Sequence, residues 1–83
     1  MAAYPKTFTE ADFTLQSDGR YKASLPVATH GLGVNFHVTK NVKRDDSDMS
    51  WRNVVPVFRI LSNGDFEFYV NELGTYKIYL VGE

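Results

Sequence analysis

The chain contains no cysteine. That excludes a disulfide-stapled secreted domain, thiol catalysis and cysteine-ligated zinc. No apolar run approaches the ~18–20 residues that a membrane-spanning helix requires. Neither sign of charge is in excess: nine Lys and Arg face ten Asp and Glu, for a formal net charge of −1. No overall field therefore draws the chain to nucleic acid or to an anionic membrane. The 83 residues include only three prolines and six glycines, too few for a fibrous or disordered class. The opening MAAYPKTFTEAD lacks the basic-then-apolar layout of a signal peptide, so none is expected. The chain is expected to be made in the cytoplasm and to stay soluble. No serine stands in a Gly-x-Ser-x-Gly setting. The chain is accordingly expected not to be an enzyme, and to carry neither cofactor nor metal.

What is present is a β pattern. Residues 54–70, VVPVFRILSNGDFEFYV, are two apolar runs around Ser62-Asn63-Gly64-Asp65. Asn-Gly between alternating runs is a strong hairpin signal, because both residues accept the positive φ of a tight turn. Pro56 interrupts the first arm and implies a bulge or an edge position. In the second arm Phe66, Phe68 and Val70 face one way, Glu67 and Tyr69 the other. Tyr21, Ala23 and Leu25 alternate with Lys22 and Ser24 until Pro26 ends the run. Val34, Phe36, Val38 and Val42 share a face, with Lys40 as an exception, and Asn35, His37, Thr39 and Asn41 share the other. Tyr76, Ile78 and Leu80 alternate with Lys77, Tyr79 and Val81. Thr9 with Asp12 partly resembles a capping box and implies one short helical turn near residues 9–12, anchored by Phe8 and Phe13.

The expected fold is all-β: one domain over residues 1–83, a small antiparallel sandwich or partly open barrel of six to seven strands. Residues 1–6 are expected to be a flexible arm, residues 27–33 a loop, and the polar stretch 43–50 an exposed loop. At most one helical turn is expected.

Several residues invite a functional reading. His30-Gly31-Leu32-Gly33 is a poor phosphate cradle, because a strand and not a helix follows it. Glycine's backbone freedom, with His30 capping a backbone group, explains it better. His30 and His37 lack the third and fourth ligands that zinc requires. Asp45, Asp46 and Asp48 lack the glycine and glutamate of a calcium loop. The single Trp, five Tyr and six Phe are a high aromatic content. Trp51, Tyr69 and Tyr79 fall outside the expected core face, where they either fill a second small cluster or stack on a partner.

Taken in order, Thr7-Phe8-Thr9…Asp12-Phe13, then Tyr21-Lys22-Ala23-Ser24-Leu25-Pro26, then Thr29-His30-Gly31-Leu32-Gly33, then Asn63-Gly64-Asp65-Phe66-Glu67-Phe68, and finally Tyr76-Lys77-Ile78-Tyr79-Leu80 resemble small β modules of bacteriophage tail and tail-fibre proteins. The resemblance spans nearly the whole chain. It implies a non-catalytic structural or interaction subunit of a phage or prophage tail or other virion appendage, made in the bacterial cytoplasm and ending in the virion. Partners would be other tail proteins or further copies of the chain, through sheet edges and surface aromatics. The polar stretch KRDDSD has no counterpart role in that group. The candidate interaction surface is Trp51, Tyr69, Tyr79, His30, Gly31 and Gly33. A second expectation is a carbohydrate-binding module for host-surface glycans, with Trp51, Tyr69 and Tyr79 as the stacking platform and residues 45–48 as polar contacts. A third, single-strand nucleic-acid binding through residues 34–38, is opposed by the near-zero charge.

Overall fold

The computed structural model describes residues 2–55 and 57–82. The described residues form eight strands: β1 (Ala3–Phe8), β2 (Thr14–Leu15), β3 (Tyr21–Leu25), β4 (Phe36–Asp45), β5 (Ser50–Asn53), β6 (Val57–Ile60), β7 (Phe66–Val70) and β8 (Tyr76–Gly82). They make two antiparallel four-stranded sheets, ordered β1-β8-β4-β5 and β2-β3-β7-β6. Alternation drives this arrangement. Tyr21, Ala23 and Leu25 of β3, Phe66, Phe68 and Val70 of β7, and Tyr76, Ile78 and Leu80 of β8 turn inward and meet in one core. The all-β expectation holds, with eight strands in place of six or seven.

Aromatic rings join the sheets. Phe8 and Tyr76 of the first sheet lie 5.8 and 5.6 Å from Phe68 of the second. Phe13 closes that group, 6.0 Å from Phe8 and 5.6 Å from Tyr76. A second column runs from His30 through Phe36 to Phe66. Phe13 follows a single 3-10 turn at Glu10–Asp12, where the Thr9 N–H donates to Asp12 Oδ2 at 2.8 Å, as the capping pattern implies.

Four local expectations are corrected. Residues 3–6 belong to β1, paired from Ala3↔Val81 to Phe8↔Tyr76, and are not an arm. Proline is compatible with this because β1 is an edge strand, and Pro5 has β8 on one side only. Residues 27–30 form a second helical turn, α1 (Val27–His30), capped by Gly31 at φ 67°. Residues 43–45 continue β4, so the polar loop shrinks to a tight turn at 46–49. The fourth correction is in β4. Its register against β8 slips between Val38 and Lys40, a β-bulge at Thr39. Beyond the bulge Asn41 and Lys43 pair with the inward Ile78 and Tyr76, while Val42 pairs with the outward Lys77. The faces of β4 are thus exchanged half-way along it. The bulge or edge position expected at Pro56 lies outside the described residues.

Candidate functional site

Of His30, Gly31 and Gly33, the two glycines are exposed and only the histidine is withdrawn from solvent. His30 is buried, with both ring nitrogens occupied. Leu32 N–H donates to Nδ1 at 2.9 Å, so Nε2 carries the proton and donates to the Gly64 carbonyl at 2.7 Å. Beside it the Val27 N–H donates to Asp65 Oδ1 at 2.8 Å. Together these bonds latch α1 onto the turn of the β6–β7 hairpin. That turn is closed by Gly64 N–H to Leu61 O and by Asn63 Oδ1 accepting from Asp65 N–H.

The three outlying aromatics do not share a face. Trp51 and Tyr79 lie on the outer face of the first sheet, where Lys77 Nζ stands 4.6 Å from the Trp51 ring and Lys40 Nζ 5.7 Å from Tyr79. Tyr69 lies on the outer face of the other sheet, beneath the Arg20 guanidinium at 4.5 Å. A single three-ring stacking platform is therefore ruled out. The acids of residues 45–48 serve their own turn. Asp45 accepts from Ser47 and pairs with Arg52, Asp46 pairs with Arg44, and Asp48 accepts from Ser50. Among the described residues, no three His, Asp or Glu side chains gather as a metal site requires.

Tyr69 belongs to a polar cluster centred on Glu67. Arg59 donates to Glu67 Oε1 at 2.7 Å, Tyr69 donates to the same oxygen at 3.1 Å, and Lys22 donates to Oε2 at 3.2 Å. The cover over Glu67 is one layer of these side chains on the sheet surface. The Arg59 bond, helped by those from Lys22 and Tyr69, holds its carboxyl below the 4.5 of a free glutamate. A carboxylate with a lowered folded-state value stabilises the fold fully above about pH 4.5 and loses that contribution as pH falls through the lowered value. Replacing Glu67 with Gln should cost about 1–2 kcal/mol at neutral pH, the scale of charge-assisted bonds at a partly shielded site. It should also flatten the acid limb of the stability curve. Urea unfolding from pH 7 to 3 measures both, and an unchanged acid limb in the variant would refute the assignment.

A concavity lies between the sheets, where residues 54 and 55 follow β5. It is a cleft of about 360 Å³ with Val54, Val57, Phe68, Val70 and Tyr76 among its apolar lining residues. Arg20, Lys43 and Glu72 supply charge, and Lys43 bonds Glu72 at 3.2 Å. That bond raises the Lys43 ammonium above its usual value, and burial does the same for the Tyr76 phenol. Asn41, 5% exposed, also lines the cleft. Its backbone carbonyl accepts from Val54 N–H, but neither its side-chain nitrogen nor its side-chain oxygen is hydrogen-bonded by any described residue. A buried unpartnered amide is costly, and native folds rarely keep one without a use.

Strict alternation assigns Asn41 to the solvent face. The trace of its true position is Lys40, which breaks the apolar face of β4. Skipping one residue after Val38 sends Lys40 outward and Asn41 inward, which is what the bulge at Thr39 does. The chain matches no family model, no curated protein and no solved structure.

Proposed function

We propose that this chain is a non-catalytic structural subunit of a bacteriophage tail or related virion appendage, acting through protein–protein contacts. The order of its sequence motifs supports the assignment, and the observation that carries the mode of action is the free side of β6. Strand β6 is the edge of its sheet. Val55 is 87% exposed, Val57 48% and Phe58 37%. Natural edge strands are commonly guarded by charge. The only charged residue of β6 is Arg59, and it is committed to Glu67. An apolar, unguarded edge of an antiparallel sheet suits pairing with an extended strand of a neighbouring subunit, whose main chain supplies the hydrogen bonds.

Sedimentation of the purified chain over a wide concentration range, alone and with the products of adjacent genes, tests the proposal. The expected result is a mass above the 9.4 kDa monomer, or a mixed complex. Val57→Lys, a change on the outer face of β6, should abolish either one while leaving the thermal midpoint nearly unchanged. A strict monomer at every concentration that binds none of those proteins would overturn it.

A further inference from the structure

We propose that the cleft around Asn41 is a binding site for a small planar ligand carrying a hydrogen-bond donor and acceptor side by side on one edge, as a nucleobase or a lactam does. The inference is independent of the pairing at β6. Three observations carry it. First, the bulge at Thr39 places the Asn41 carboxamide on the inner face of β4 opposite Ile78, where strict alternation would put Lys40. Bulges concentrate where a side chain is re-aimed towards a site. Second, that carboxamide is buried with its donor and its acceptor both without a partner among the described residues, while the other buried polar side chains, His30 and Glu67, have theirs supplied locally. Third, it lines a cleft of about 360 Å³ with Phe68, Tyr76 and Val70, a volume and lining suited to a ring system.

The ligand class follows from the geometry of an amide. A carboxamide offers one N–H and one C=O in a plane, side by side. A cyclic amide is cis, so its own N–H and C=O are adjacent and meet the carboxamide in two parallel bonds. An open-chain secondary amide is trans and presents the two groups on opposite sides. Asparagine reads nucleobase edges by this bidentate pairing. The Asn41 side-chain nitrogen and oxygen each expose less than 1 Å². Entry therefore requires residues 54 and 55 to give way, and these residues lie outside the strands.

The test titrates uracil, valerolactam and dimethyluracil, methylated on both ring nitrogens, into the isotope-labelled full chain while the Asn41 side-chain amide resonances are followed. Uracil or valerolactam should shift them saturably. A shift with uracil alone marks a nucleobase site, and a shift with both marks recognition of the cyclic amide edge itself. Dimethyluracil, which has no N–H, should leave them in place. Asn41→Leu should weaken binding roughly tenfold to a hundredfold, the range for one bidentate pair. Its thermal midpoint should be no lower than that of the parent, because it removes an unsatisfied amide. Lost binding would then not reflect lost folding. The proposal is overturned if no probe moves the Asn41 amide, if dimethyluracil moves it as uracil does, or if Asn41→Leu binds uracil equally well.

Discussion

Gly64→Ala should cost about 3 kcal/mol of stability, a large share of the total for a domain of this size. Two effects combine. Gly64 sits at φ 98°, a backbone conformation that L residues strongly disfavour. A Cβ there would lie 2.5 Å from the Gly33 carbonyl oxygen and 2.8 Å from Val27 Cγ2. The first obstacle is backbone, so relief means pushing α1 and its following loop off the hairpin. Gly19 separates the two effects. It has φ 88°, but a Cβ there meets nothing within 4 Å among the described residues. Gly19→Ala should therefore show the conformational penalty alone, about 1 kcal/mol. Urea midpoints of the two variants make the comparison. Equal losses would mean that the contact between residues 33 and 64 does not constrain the fold.

His30→Ala should cost a similar amount, about 3 kcal/mol. It removes a ring packed 4.6 Å from Phe36 and leaves a cavity there. It also strips partners from the Gly64 carbonyl and the Leu32 N–H, both of which the imidazole satisfies. Because His30 and Gly64 hold the same junction, the double variant should lose less than the sum of the two single losses. Strict additivity in that cycle would show that the two residues act separately. The neutral tautomer with the proton on Nε2, visible in the ring-nitrogen shifts, provides a check that needs no substitution.

Much of the scaffold was legible because local and long-range signals agree along it. Asn63-Gly64 marked the hairpin, alternation marked β3, β7 and β8, and Thr9 with Asp12 marked the 3-10 turn. The misreadings have identifiable causes. Tyr4-Pro5 suggested a free arm, because a proline's neutrality at a sheet edge depends on where the strand lies, and that is a tertiary fact. The α1 turn did leave a signal, a proline before and a glycine after residues 27–30, but a single helical turn is too short for hydrophobic periodicity. Asn41 was hidden most deeply. A bulge adds one residue to a strand, and only the partner strand reveals which residue is the extra one. The split of Tyr69 from Trp51 and Tyr79 was equally invisible, since alternation gives a face within a strand and not which sheet the strand joins.

The order of the strands bears on how the chain reaches its fold. The sheet ordered β2-β3-β7-β6 is complete once residue 70 is present. The other sheet is not, because β8 lies between β1 and β4. Until residues 76–82 emerge during synthesis, β1 has no strand to pair with, and in that sheet only the β4–β5 hairpin can close. The pairing of Ala3 with Val81 spans almost the whole described chain and must overcome a correspondingly long loop closure. Between the emergence of residue 70 and that of residues 76–82 the nascent chain therefore holds one assembled sheet with its inner face uncovered. That interval is the period in which it is most exposed to aggregation.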